Sequence, residues 1–238
     1  FVAFSFAASS IYIVNDLVDL PLDRMHKTKR NRPIAAGTVS IPVALATAGA
    51  LILAAISMSL LLPPLFGLVL GSYVLMTMAY SFSLKRMLLI DVLTLAGLYT
   101  VRVVAGAAAT MIDVSFWLLA FSVFFFLSLA LVKRFVELQE NVSSTTKIAG
   151  RGYRPADKQV IGEAGMASAF SAALVLALYI DSSEVQQLYG QPWLIWPLCP
   201  IVLYLSIRIW VLARRGEMHE DPVVFLLSDW RSVLMVAL

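Results

Sequence analysis

One cysteine and two histidines are all that this 238-residue chain holds of the residues most used for disulfides and imidazole bases. An internal disulfide is excluded, and Cys199, inside the apolar run Trp193 to Ala213, reads as a packing residue. Any chemistry that depends on a conventional side-chain base has little to draw on. Charge is also scarce: 14% of the residues are charged against 60% hydrophobic, and the mean hydropathy is +0.85, which excludes a soluble globular chain. No signal-peptide pattern is present. The net charge of +3 is modest and its distribution matters more than its size; no nucleic-acid partner is expected.

What the chain has instead is a series of apolar runs about 20 residues long, the length that crosses a bilayer as a helix. They predict an all-α, polytopic transmembrane bundle with segments at Phe1–Val14, Ile41–Leu62, Leu65–Ser81, Asp91–Met111, Ser115–Lys133, Gln159–Ile180 and Trp193–Ala213. A further segment starts near Asp229, giving about eight in all. Pro63-Pro64 predicts a tight helical hairpin, and Ile112-Asp113 and Gly190-Gln191-Pro192 mark two other connections. We expect a single domain over residues 1–238, part of a longer protein, because the chain opens at Phe1 and stops at Leu238 inside apolar stretches.

The few cations are unevenly placed. Arg24–Arg32 holds five, Lys85-Arg86 two and Lys133–Lys158 six, while the alternate connections hold none. By the positive-inside rule the basic connections face the cytoplasm, so the expected location is the inner (plasma) membrane with these loops inside. Phe1 then begins on the far side, which calls for a preceding span.

Asn15-Asp16-x-x-Asp19-x-x-x-Asp23 ends the first apolar run, and a basic cluster containing Lys29 and Arg32 follows at once. On a helix, Asp16, Asp19 and Asp23 share one face at i, i+3 and i+7. Grouped carboxylates suit Mg²⁺, which keeps several waters and bridges a few carboxylates to substrate phosphates. The cations downstream are partners for the remaining phosphate charge. A Mg²⁺–diphosphate site at a membrane helix end is the reading, against the plainer one of solvated loop acids balancing the basic cluster.

Two further groups share the cytoplasmic side. Tyr80 and Lys85-Arg86 precede Asp91, and Arg102 follows it inside a span, where an arginine usually faces a polar cavity or a partner. Lys85 reads either as a phosphate clamp or as an ordinary interfacial anchor, and Asp91 as a further metal or ribose ligand. Lys133, Arg134 and Glu137 are spaced for a surface salt bridge or for a part in the site. The connection Asn141–Lys158, with Lys147, Arg151, Tyr153 and Arg154, reads as a mobile cap or headgroup contact. His219, the tail Glu217–Pro222 and Asp229 read as solvated polar connection outside the site.

The run from Asn15 through Asp16, Asp19, Asp23, His26, Lys29 and Arg32 to Pro33 resembles the first Asp-rich motif of the UbiA-type intramembrane prenyltransferase superfamily. That resemblance implies nine helices in the full protein, around a cavity open laterally to lipid and capped by Asp-rich loops, and an enzyme using Mg²⁺. It implies Asp16, Asp19 and Asp23 as metal ligands and, with Asp91, as the catalytic acids. Asn15, Lys29, Arg32, Tyr80, Lys85, Arg102, Lys133, Arg134 and Glu137 are the expected substrate-binding residues. At the second motif the aromatic-prenylating branch has Asp-x-x-x-Asp, whereas here Leu95 follows Asp91. Tyr80-Ser81-x-x-Leu84-Lys85-Arg86, Asp91-Val92 and Lys133-Arg134-x-x-Glu137 are similar instead to the polyprenyl-phosphate phosphoribosyltransferase branch, decaprenyl-phosphate phosphoribosyltransferases among them.

The expected function is therefore transfer of 5-phosphoribosyl from phosphoribosyl diphosphate to a polyprenyl phosphate, with the bilayer, a lipid substrate and a diphosphate donor as partners. The alternative is transfer of a polyprenyl group from its diphosphate to an aromatic or other small acceptor. A transporter predicts charges near mid-membrane in several helices, and Arg102 alone fits that. A homo-oligomer is left open.

Overall fold

A computed structural model describes residues 1–25, 29–140 and 152–218. Among these residues the chain is helical, with short 3-10 turns and no strand. The helices are α1 (Val2–Val18), α2 (Leu20–Met25), α3 (Ile41–Ser59), α4 (Pro64–Phe82), α5 (Ile90–Thr110), α6 (Phe116–Glu140), α7 (Lys158–Ile180), α8 (Ser183–Leu188) and α9 (Leu198–Arg215).

Among the described residues, six stretches are long and apolar enough to cross a membrane: α3, α4, α5, α6, Pro155–Ile180 and Pro192–Arg215. The apolar α1 is shorter, at 17 residues. The fold is thus an all-α polytopic membrane bundle. Seven expected segments are helices, and the one expected from Asp229 lies outside the described residues, as do His26, Lys147, Arg151 and His219.

The breaks between helices have local causes. Pro64 opens α4, where a missing N–H costs nothing, so Pro63-Pro64 forms the expected hairpin. Met111 at φ 59° ends α5, and Gly216 at φ 73° ends α9 in the left-handed conformation that glycine adopts freely. Two boundaries differ from expectation. The helix α6 runs on to Glu140, well past its apolar run, so Lys133, Arg134 and Glu137 stand on a helix. Between Pro192 and Ile195 the chain makes a 3-10 turn, and α9 starts after Pro197, which has no N–H to give an earlier helical ladder.

The chain divides into two compact units, with the boundary inside α5. The first holds 1–84 and 101–113. Its α1–α3 contact is lined by small residues, Ala3, Ala7 and Ser10 on one side and Ala44, Ala48 and Ala55 on the other. Such residues let backbones approach closely in a medium without a hydrophobic drive, and the buried Ser10 hydroxyl donates to the Ala48 carbonyl at 2.8 Å.

The second unit comprises 85–100 and the described residues from 114 onward, and it packs α6, α7 and α9 together. Trp210 on α9 donates from Nε1 to Ser128 Oγ at 3.0 Å, and that hydroxyl donates to the Gly165 carbonyl at 2.9 Å. Gly165 is required by contact rather than conformation: a Cβ there would lie 2.0 Å from the Trp210 ring.

Candidate active site

In the first unit the acidic motif straddles a break in the helix. Pro21 lacks the N–H that would continue the α1 ladder, so α1 stops at Val18 and α2 starts at Leu20. The Asp19 carbonyl accepts from both Leu22 N and Asp23 N at 2.9 Å. The expectation of three carboxylates on one continuous helical face is corrected accordingly: Asp16 is on α1, Asp19 caps it and Asp23 is on α2.

The basic segment folds back onto this break. Nη1 of Arg32 donates to Asp16 Oδ1 at 2.8 Å and to Asp23 Oδ2 at 2.9 Å. Asp23 is buried, Asp16 half-buried and Arg32 partly open. Arg24 Nε donates to the Ala35 carbonyl at 3.4 Å, a weak tie for the same segment. Asn15 and Asp19 are half-buried, Lys29 is exposed, and both Asp19 and Lys29 are engaged within the fold. One nitrogen thus holds two carboxylates that the sequence places seven residues apart.

That geometry also tests the fit of Mg²⁺. Two oxygens already converge on a single cationic centre, the all-oxygen donor set is hard, and two carboxylates are as many as Mg²⁺ commonly takes from protein. Among the described residues, no three His, Cys, Asp or Glu side chains are grouped to hold a metal ion. The residues present fit an ion shared between Asp16, Asp23, water and phosphate rather than a closed protein cage.

Within the same unit lies a cavity of about 490 Å³, lined by Phe4, Ser5, Ser9, Tyr12, Phe66 and Arg102 among others. Ser5, Ser9, Tyr12 and Asp16 are spaced i, i+4, i+7 and i+11, so the face of α1 that lines the cavity runs on to the acidic motif. Nη2 of Arg102 donates to the Tyr73 hydroxyl at 3.3 Å, and Tyr12 lines the cavity beside it. Sequence reasoning missed both tyrosines. The spacing of Tyr12 four residues before Asp16 was the available signal. Tyr80 is half-buried at the end of α4 and engaged within the fold.

The second unit gathers a different set. Asp91, Arg134 and Tyr153 have at most 1% exposure. Asp91 Oδ2 accepts from Arg134 Nη2 at 2.5 Å, and its Oδ1 accepts from the Tyr153 hydroxyl at 2.5 Å. The Tyr153 oxygen also accepts from Leu89 N at 3.1 Å, and the Arg134 guanidinium stands over the Tyr153 ring, 5.1 Å from its centroid. Arg134 Nη1 donates to Glu137, so the expected i, i+3 bridge forms at the edge of a larger buried network. Burial first, and the hydrogen bond to Asp91 second, raise the Tyr153 phenol above its ordinary value, keeping it a donor.

Both Asp91 oxygens are therefore spent inside the protein. Lys85, in the 3-10 turn Leu84–Arg86, is buried and engaged, whereas Lys133 is exposed and engaged. Of the connection read as a mobile cap or headgroup contact, residues 141–151 lie outside the described residues, and Tyr153 is corrected to a packing position. It is fully buried, and Gly152 lies so close to the Arg86–Leu88 backbone that a Cβ would meet Leu88 N at 2.8 Å. Nothing local announces this, because the partners are 62 residues apart in sequence.

Residues 1–228 match the profile of the UbiA prenyltransferase family. The chain is 41% identical over 241 residues to the uncharacterized protein y4nM of Sinorhizobium fredii, all of this chain against 46% of that protein. It is 31% identical over 248 residues to the nodulation protein NoeC of Azorhizobium caulinodans, 99% of this chain and 77% of NoeC. To the decaprenyl-phosphate phosphoribosyltransferase of Mycobacterium tuberculosis it is 40% identical over 138 residues, 58% of this chain and 46% of that enzyme. The chain thus spans about half the length of y4nM, and its match to the mycobacterial enzyme covers about half of that enzyme.

Proposed function

The chain belongs to the UbiA prenyltransferase family, and we propose that it is the membrane part of a Mg²⁺-dependent transferase that moves 5-phosphoribosyl from phosphoribosyl diphosphate to a polyprenyl phosphate. The observation that carries this reading is the convergence of Asp16 and Asp23 on Arg32, at the end of an apolar helix whose same face lines a cavity. The name and identity of the mycobacterial relative support the choice of substrates.

Asp16 and Asp23 would hold the ion, with Asp19 beside them at the helix break and Asn15 orienting the pair. Bound there, Mg²⁺ supplies positive charge to the diphosphate leaving group. Arg32 is poised to exchange one of its carboxylate contacts for a phosphate oxygen, and Lys29 adds a cation for the same anion.

In the reaction an oxygen of the acceptor phosphate attacks the anomeric carbon of the ribose. The bond from that carbon to the diphosphate oxygen breaks, and pyrophosphate leaves with the electron pair. The nucleophile arrives ionised, so no proton moves, which matches a chain poor in histidine. What remains for the protein is alignment and charge stabilisation. In this scheme Asp91 is a positioning residue that holds Arg134 and Tyr153 in place. The basic connections face the cytoplasm, in keeping with their excess of Lys and Arg over the alternate ones.

The test is lipid analysis of membranes containing the protein at its full natural length, given labelled phosphoribosyl diphosphate and a polyprenyl phosphate. Label should enter the lipid, and Asp16→Asn or Asp23→Asn should cut the rate by about a hundredfold or more. Product appearing only from a prenyl diphosphate and an aromatic acid overturns the reading.

A further inference from the structure

The cavity in the first unit has a polarity gradient. From the acidic motif inward along α1 come Asp16, then Tyr12, then Ser9 and Ser5, and then the aromatic end at Phe4. Arg102 enters this wall from α5 beside Tyr12. Four residues separate Tyr12 from Asp16, so Arg102 stands roughly 6 Å, about one helical turn, deeper than the metal-type site. An arginine in an apolar span is costly unless it faces a cavity or a partner. The buried Tyr73 hydroxyl accepts from the guanidinium behind it, while Tyr12 lines the cavity with a hydroxyl that can donate to a ligand. Beyond them, Phe4, Phe66 and Ala105 continue into an apolar packing cluster.

We propose that Arg102, with Tyr12, anchors the phosphate of a lipid-linked substrate, whose isoprenoid chain runs from there along the Phe4–Phe66 wall. The inference deepens the transfer reading and rests on it only for which phosphorylated lipid is taken. A fork of charged donors at this depth binds a phosphorylated head and gives an alcohol little, so Arg102 is a specificity-determining residue. It also places the acceptor oxygen within a turn of the donor's diphosphate, the proximity that an uncatalysed encounter lacks.

The experiment measures binding of labelled farnesyl phosphate, farnesyl diphosphate and farnesol to the full-length protein in nanodiscs. The native protein should prefer a phosphorylated lipid over farnesol by about tenfold or more. Arg102→Gln should erase that preference while farnesol binding stays within about twofold, and Arg102→Lys should keep an intermediate preference. Tyr12→Phe should lower farnesyl phosphate affinity by about threefold. An unchanged preference in Arg102→Gln, or none in the native protein, overturns the proposal. Should Arg102→Gln fail to fold, native-strength binding by both Arg102→Lys and Tyr12→Phe overturns it as well.

The lipid arms separate the sources. Preference for the monophosphate assigns the anchor to an acceptor. Preference for the diphosphate keeps the anchor but assigns it to a prenyl donor and overturns the phosphoribosyl reading. Intact farnesyl phosphate binding with no phosphoribosyl transfer likewise sinks the transfer reading alone.

Discussion

The hydroxyl of Tyr153 donates to Asp91 at 2.5 Å, with both side chains sealed from solvent. The bond ties the connection before α7 to the first turn of α5. Arg134 completes it, so the network is a buried ion pair with a neutral donor attached. Buried pairs contribute less by their own strength than they cost when half of one is removed.

Asp91→Asn leaves the Arg134 charge buried with Glu137 as its remaining anion in this network, and should destabilise the protein by up to about 3–5 kcal/mol. Tyr153→Phe leaves one Asp91 oxygen without its donor, at about 1–3 kcal/mol. The double change Asp91→Leu with Arg134→Met, which removes both charges, should be milder than Asp91→Asn. Thermal unfolding of the four proteins in one detergent checks the order, and a double variant worse than Asp91→Asn contradicts it.

Gly165→Ala should be among the most damaging single methyl additions. Its Cβ would fall 2.0 Å from the Trp210 ring, which is held at Nε1 by Ser128. Overpacking of this kind costs about 1–3 kcal/mol. Trp210→Leu in the same background should recover part of the loss in the same melting assay.

Arg32 competes with any cation for Asp16 and Asp23. Arg32→Gln should therefore tighten Mn²⁺ binding, followed by electron paramagnetic resonance without substrate, by about threefold to tenfold. The same change should weaken phosphoribosyl diphosphate binding, because a phosphate contact is lost. Unchanged Mn²⁺ affinity would separate the acid pair from the metal site.

Chelation of divalent ions should abolish transfer and leave the fold intact, since the acid pair keeps Arg32 as its counter-ion. Activity should return with Mg²⁺. A large fall in melting temperature on chelation argues against this arrangement.

The Tyr153 phenol is raised by burial and by its bond to Asp91, so the folded state holds that proton more tightly than the unfolded chain. The stability it contributes is present below the unfolded value, about pH 10, and is lost as pH rises further. The difference in melting temperature between the native protein and Tyr153→Phe should be flat from about pH 6 to about pH 9 and shrink above about pH 10. A difference that changes across neutrality points to another group.

Apolar runs and prolines were legible directly. A span needs only length and composition, and a proline ends a helix through its own missing N–H, so Pro63-Pro64 and the helices around it follow from local chemistry. The acidic motif was legible as a pattern, and the family it resembles is the one that residues 1–228 match. Its geometry was less so, because the spacing of three aspartates takes no account of Pro21 between them.

By itself, then, the sequence determined a polytopic helical membrane protein of this family, with a polar edge where Asp16, Asp23 and Arg32 occur. Each of those properties depends on neighbours within a few turns. Tertiary structure alone decided that Arg32 would span two acids, that Arg102 would meet Tyr12 and Tyr73, and that Tyr153 would be buried on Asp91. Those pairings join side chains that local preference leaves independent, and only the packing of helices onto one another selects them.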